Sequence, residues 1–298
     1  MQTEKLEKFY NKNYKKLLVI PFIILALSLL VLFYNYKSTG FFIDRDVSLQ
    51  GGITANINTN QNIDIDELKS FLENKFPKSD IVIRKISEFT TGKAPGIIIE
   101  ASNIKDSDIR PALSDKLNIE LTEKNYSIEE ISSGLGESFF KDFIIAILFA
   151  FLFMAIVVFI AFRTLIPSLA IILSPIFDLT ITLAIISLLD FKLSTAGLAA
   201  FLLIIGYSID TDILLTTRVL KRREESLFNR MFSSMKTGLT MTATTIVSVG
   251  VGFIATNSSV LKQIFAIILI ALLIDIMSTY FVNMALLKIY VKRKYNEN

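Results

Sequence analysis

Four acidic residues lie inside stretches that are otherwise apolar enough to cross a bilayer: Asp178, Asp210, Asp212 and Asp275. A carboxylate near the middle of a membrane helix costs about 2.5–3.5 kcal/mol on insertion scales, so each needs a partner, a proton or water inside a helix bundle. The chemistry that fits is ion or proton relay, or hydrogen bonding that fastens helices. Asp210 and Asp212 are two residues apart; on a helix their side chains project about 200° from one another and face different neighbours. Thr237, Thr240, Thr244 and Ser248 recur at helical spacing with Lys236 just before them, and hydroxyls so placed can donate across a helix pair. Gly238, Gly250 and Gly252 would let a neighbouring helix approach closely. A polar seam between the fourth and fifth apolar spans is expected, with Asp210, Asp212, Lys236, Thr237, Thr240 and Thr244 as ion-relay candidates. Asp178 follows Pro167 and Pro175, which leave backbone carbonyls without donors; it is either a protonated residue bonded to that distorted backbone or a relay group. Asp275 is open to the same alternatives: a pairing that fastens helices or a partner subunit, or a proton site.

Six apolar runs position these acids, at about 17–36, 143–162, 166–189, 193–217, 237–256 and 263–287. A hydrophobic content of 52% agrees with an integral membrane protein. The first run follows a lysine-bearing arm at 1–16 and lacks a small-residue cleavage site, so it is expected to be an uncleaved span with Tyr34 and Tyr36 as interface anchors. Sixteen basic residues flank one side of the spans, including the clusters at 218–236 and 288–298, against Lys192 and Lys262 on the other. That asymmetry places both termini in the cytoplasm of a multi-pass cell-membrane protein. Topology and anionic lipid account for the basic clusters, so nucleic acid is not an expected partner. With no His and no Cys the chain cannot build a His-dependent triad, a thiolate or imidazole metal site, or a disulfide. No metal or cofactor site is expected, and no nucleotide-binding loop is present. An enzyme is not the expectation.

Residues 37–142, between the first two spans, are much more polar and are read as one small extracytoplasmic domain. Ile53, Ala55 and Ile57 alternate as a strand does. Asp64 is placed to cap a helix carrying Ile65, Leu68, Leu72 and Phe76. Strands follow at 81–89 and 96–101, joined by the turn residues 91–96, then a helix at 106–117 containing Pro111 and a strand at 126–131. The order βαββαβ, with both helices on one face, is the ferredoxin-like arrangement. The expected fold is therefore a membrane α-helical bundle of six transmembrane helices with one extracytoplasmic α+β domain between the first and second. Its acids have the spacing of a solvated surface, which leaves contact with a partner or a passing chain as its expected role.

The run Gly206-Tyr207-Ser208-Ile209-Asp210-Thr211-Asp212-Ile213-Leu214, followed by Thr217-Arg218-Val219-Leu220-Lys221-Arg222, resembles the fourth-span signature of the SecD/SecF family of protein-export membrane subunits, in its archaeal form. Gly51-Gly52, Gly134-Leu135-Gly136-Glu137-Ser138 and Lys236-Thr237-Gly238-Leu239-Thr240-Met241-Thr242 extend the resemblance over nearly the whole chain. It implies a member of the resistance-nodulation-division superfamily that pairs with SecD and helps the SecY channel move a translocating polypeptide. In bacterial relatives the work is coupled to inward ion flow through the fourth and fifth spans, which would make Asp210 and Asp212 carriers and the span-five hydroxyls a relay. This chain departs from the bacterial pattern, whose acid aligns with Thr211 and whose span-five base falls at about Thr237, next to Lys236.

Two other classes stay open on the residues alone. An intramembrane aspartyl protease also needs two acids at helix depth, but the Gly-x-Gly-Asp and Tyr-Asp contexts of that class are absent. A small-solute or lipid exporter of the same superfamily generally carries two exported domains in one chain, where this chain shows one.

Overall fold

Apolar periodicity and capping residues give, in chain order, α1 (Gln2–Thr39), α2 (Val47–Gln50), β1 (Gly52–Asn58), α3 (Ile65–Lys75), β2 (Ile81–Ile86), β3 (Gly96–Ser102), α4 (Asp106–Leu117), β4 (Tyr126–Ile131), α5 (Ser133–Phe162), α6 (Leu165–Leu188), α7 (Thr195–Lys221), α8 (Leu227–Ala255) and α9 (Ser259–Met277). A π-helical turn (Ser278–Asn283) then leads into α10 (Met284–Tyr295). The structure, a computed structural model, describes residues 2–59, 61, 63–77, 79–86, 96–189, 191–221, 225–256 and 258–295. Two compact units result: Arg45–Ile144 with Lys192–Thr195, and Met1–Asp44 with Ile145–Phe191 and Ala196–Asn298.

In the first unit four strands form an antiparallel sheet in the order β2-β3-β1-β4. Register pairs Ile53 with Ala101, Ala55 with Ile99 and Ile57 with Ile97, so the alternating apolar residues of both strands fall on one face. That face is buried against Leu68 and Leu72 of α3 and Ile109 and Leu113 of α4. Asp64 caps α3 by accepting from the backbone N–H groups of Asp66 and Glu67 at 3.0 and 3.1 Å. The last residues of the strand expected at 81–89 and the turn at 91–95 lie outside the described residues. At Gly52 the backbone takes φ +141°, and a Cβ there would overlap the carbonyl oxygen of Ala101, so only glycine fits.

Sequence patterning did not reveal α2 or its strap. Asp46 caps α2: its Oδ1 accepts from the Ser48 N–H at 2.9 Å and from the Ser48 hydroxyl at 2.5 Å. Ser48 Oγ in turn accepts from the Thr195 N–H at 2.9 Å, and the Asp46 N–H donates to Leu193 O at 3.0 Å. Lys192 pairs with Asp80. The segment Lys192–Thr195 is thereby fastened to the start of the domain. Burial pushes the Asp46 carboxyl up to about 6, with the Ser48 bonds opposing the rise.

Among the described residues six helices are long and apolar enough to cross a membrane: Tyr10–Thr39, Gly134–Phe162, Leu165–Leu188, Thr195–Lys221, Leu227–Ala255 and Val260–Tyr295. α6 packs against α1, where Phe22 meets Phe177 edge-on at 5.0 Å between ring centroids. Pro21 and Pro175 lie inside continuous helices. The basic segment at 218–236 is largely helical, which the apolar windows had not shown. Its described part completes α7 and opens α8 ten residues before the expected span, because Ser226 caps Asn229 and Leu227 and Met231 enter a buried cluster with Val219 and Leu287. Arg230 donates to Val219 O at 2.7 Å, and Arg218 donates to Ser233 O at 2.9 Å.

The raised Asp46 carboxyl sets a pH dependence with a definite sign. A folded-state value of about 6 above an ordinary 3.8 contributes stability that is complete below the ordinary value and lost as pH rises through about 6. Hydrogen exchange of the β1 amides should therefore be slower at pH 5 than at pH 7 in the native chain, relative to Asp46→Asn. The same pH response in both proteins would remove Asp46 from the account.

Candidate functional site

Three of the four membrane acids converge. Asp178 on α6, Asp212 on α7 and Asp275 on α9 are each at most 1% exposed. Among the described residues no ion pair reaches any of them, so their stabilisation comes from neutral donors. Ser208 of α7 donates to Asp178 Oδ2 at 2.6 Å, and Ser278 of the π-helical turn donates to Asp178 Oδ1 at 2.6 Å. Ser174, one turn before Asp178, donates to Ser278 Oγ at 3.1 Å. The Asn283 amide donates to Asp212 Oδ1 at 2.7 Å, and the Thr279 hydroxyl lies 3.4 Å from Asp275 Oδ1. Ser174, Ser208, Ser278, Thr279 and Asn283 are themselves fully buried.

Ser278, which donates to Asp178, also lies 3.2 Å from Asp275 O, so the π-helical turn reaches two of the three acids.

Local structure explains the convergence. Asp275, Thr279 and Asn283 recur every four residues, a spacing that drifts around a regular α-helix; the wider π-helical turn keeps them facing one way. Asp178 bonds to hydroxyls on other helices rather than to the backbone opened by Pro167 and Pro175, which corrects that expectation. Asp275 faces the other acids inside the chain.

Asp210 and Asp212 point apart, as their spacing demands: Asp212 is buried, while Asp210 is exposed and has no hydrogen bond or ion pair among the described residues. The donors of Asp212 come from the sixth span and not the fifth. The hydroxyls of Thr237, Thr240 and Thr244 donate back to carbonyls of α8, those of Ser233, Lys236 and Thr240 respectively, at 3.2, 2.9 and 3.1 Å. Thr244 also reaches Met241 O at 2.7 Å. Lys236, Thr240 and Thr244 are exposed along an open groove of about 550 Å³ that Ala243 and Val247 help to line. The seam expected between spans four and five is thus a buried cluster of spans three, four and six plus an uncovered polar face. Of the three span-five glycines, Gly238 is closed over by Tyr280 and Thr211, Gly252 lies against the Phe265 ring, and Gly250 has nothing near it.

Ser174, Ser208, Ser278, Thr279 and Asn283 were missed by reading acids alone. Their signal was present: Ser174 precedes Asp178 by four residues, Ser208 precedes Asp212 by four, and Thr279 and Asn283 follow Asp275 at the same interval.

Residues 113–293 match the family described as protein export membrane protein SecD/SecF, C-terminal. The chain is 36% identical over 286 residues to the protein-export membrane protein SecF of Methanocaldococcus jannaschii, covering 94% of this chain and 96% of that one. It is 31% identical to SecF of Pyrococcus furiosus over 291 residues, covering 98% and 96%. Among solved structures, SecDF of Thermus thermophilus superposes with a TM-score of 0.72 at 21% identity, over 95% of this chain. This chain spans 38% of that longer one, and the likeness is one of fold.

Asp178→Ala should leave two buried hydroxyls without their acceptor, at about 1–3 kcal/mol for each unsatisfied group, whereas Asp178→Asn keeps an acceptor oxygen. Thermal unfolding in detergent is expected to rank the native chain above Asp178→Asn and both well above Asp178→Ala. Equal losses in the two variants would mean that the Ser208 and Ser278 bonds contribute nothing.

Proposed function

The chain belongs to the SecD/SecF family of protein-export membrane proteins, and from that premise we propose that it serves as the SecF-type subunit that pairs with SecD and assists the SecY channel in moving polypeptides across the membrane. The observation that carries this reading is the similarity to archaeal SecF proteins over nearly the full length of both chains. The chain is a multi-pass membrane protein with six candidate spans among the described residues. In our reading both termini are cytoplasmic, following the sixteen-to-two distribution of basic residues. The domain between the first two spans then lies outside, and its strand order β2-β3-β1-β4 with helices after β1 and β3 supports reading it as ferredoxin-like. Contact with the emerging polypeptide is its proposed task.

The uncovered polar residues support a partner in the membrane. Asp210 on α7 and Lys236, Thr240 and Thr244 on α8 are exposed, and charged groups at membrane depth are tolerated where they face protein or a water-filled gap. SecD is the proposed cover. Coupling to inward proton or ion flow is the proposed energy source: one charge crossing the membrane releases about 2.3 kcal/mol per 100 mV. Asp210, Asp212 and Lys236 with Thr237, Thr240 and Thr244 are the proposed route, to which the buried Asp178 and Asp275 add a second set of proton-holding groups.

Affinity-tagged chain should copurify with SecD. Membrane vesicles carrying both should translocate a secretory protein faster with an imposed proton gradient than without, and Asp210→Asn and Asp212→Asn should each reduce that stimulation. Equal export with and without the gradient, in native and substituted chains alike, would eliminate ion coupling; failure to copurify or to affect export would eliminate the export role.

A further inference from the structure

We propose that the segment Lys192–Thr195, which joins the third and fourth spans, is a closed joint through which the α+β domain holds the start of α7. The helix that bears Asp210 and Asp212 then moves with that domain. The proposal deepens the export reading above and rests on it for its purpose, while the joint itself stands on bonds within one compact unit.

By chain order these four residues belong with the membrane helices, since α6 ends at Leu188 and α7 begins at Thr195. By packing they belong to the α+β unit, which takes them in with Arg45–Ile144. A segment that only connected two spans would run over the surface and leave its backbone to water. Here Leu193 is 1% exposed and Ser194 5%, so the backbone polar groups need protein partners.

Those partners come from the stretch between α1 and β1. Arg45 and Leu193 form a parallel bridge, and the Asp46 N–H donates to Leu193 O at 3.0 Å. The Thr195 N–H is the first amide of α7, one of the donors that a helix start leaves without an acceptor of its own. It donates to Ser48 Oγ at 2.9 Å, from 147 residues away in sequence. Ser48 therefore does for the fourth span what a capping residue does. Its hydroxyl proton is committed to Asp46 Oδ1, which leaves the lone pairs for Thr195. Lys192 adds a pairing with Asp80, just ahead of β2.

The block that holds the joint is itself fixed. Val47 and Leu49 of α2 are buried, and α2 packs on β1 and β3. A Cβ at Gly136 would overlap the Leu49 backbone, so the glycines of Gly134-Leu135-Gly136 let the start of α5 pass directly beside α2. The Arg45 guanidinium lies 3.7 Å from the centre of the Phe140 ring, also on α5. A helix is stiff along its axis, and Asp212 lies about 25 Å from Thr195 by helical rise. An axial shift at Asp212 thus arrives at Thr195, where it either carries α2 and β1 along or breaks the bonds to Ser48 and Asp46.

Hydrogen–deuterium exchange of the purified full chain in detergent tests this. Ser48→Ala should speed exchange at residues 193–196 by roughly fivefold, as for one lost hydrogen bond, with the α3 amides unchanged. Ser48→Thr, which keeps the hydroxyl, should restore the native rate. Asp212→Asn should alter exchange at residues 47–53 by about twofold or more, the smallest coupling expected within one bonded network, and should have no effect there in the Ser48→Ala chain. Unaltered exchange at 193–196 in Ser48→Ala, equally faster exchange across α3, or a response to Asp212→Asn that survives Ser48→Ala would each overturn the proposal. In membrane vesicles with SecD, Ser48→Ala should lower export of a secretory protein and Ser48→Thr should not; undiminished export with Ser48→Ala would overturn it as well. A chain whose exchange behaves as stated but which affects export in no form would overturn the export reading alone.

Discussion

The membrane unit is organised around the need to give three buried carboxyl groups hydrogen-bond donors where no ion pair among the described residues reaches them. An unpaired charge at that depth is costly, and the donors within reach are neutral hydroxyls and one amide. Each donor lies on a different helix from the oxygen it serves at Asp178 and Asp212. Satisfying the acids therefore fixes spans three, four and six against one another. Breaking any of these contacts strands a polar group in an apolar core, which is why the cluster specifies the register of three helices as well as holding charge.

The acids are distributed according to which helices have a buried face. α6, α7 and α9 carry them, whereas α5 presents Leu148, Phe149, Leu152 and Phe153 outward and holds no acid along its apolar length. α8 is intermediate: one face closes on Tyr280 and Thr211 through Gly238, and the other leaves Lys236, Thr240 and Thr244 uncovered. The α+β unit solves a different problem, burying one face of a four-stranded sheet under two helices. There the polar residues are mostly solvated, and Asp46 is an exception because α2 and the Lys192–Thr195 strap close over it.

Much of this was legible in the residues. The spans showed as apolar runs, α3 showed through its Asp64 cap and the period of Ile65, Leu68 and Leu72, and the strands at Ile53–Ile57 showed through alternation. The opposed directions of Asp210 and Asp212 followed from helical geometry alone. The source of the donors did not. Thr237, Thr240 and Thr244 had the right chemistry and spacing, yet a threonine on a helix can satisfy its hydroxyl on the carbonyl four residues back, and these three do. The π-helical turn was also hidden, since no local propensity in Ser278–Asn283 announces an extra residue per turn. It appears where the packing of Ser278, Thr279 and Asn283 onto the acids outweighs regular helix geometry.

Two acids separated by a single residue thus answer to different surroundings. Asp212 is buried and accepts from the Asn283 amide at one of its oxygens. Asp210 has no hydrogen-bond or ion-pair partner among the described residues, and it shares its exposure with Lys236, Thr240 and Thr244. Any ion path using both must pass from one side of α7 to the other, and the backbone of a helix offers no side-chain bridge in that direction. Thr211, between them, is buried with an unpartnered hydroxyl and lies against Gly238. It separates the two environments along the helix.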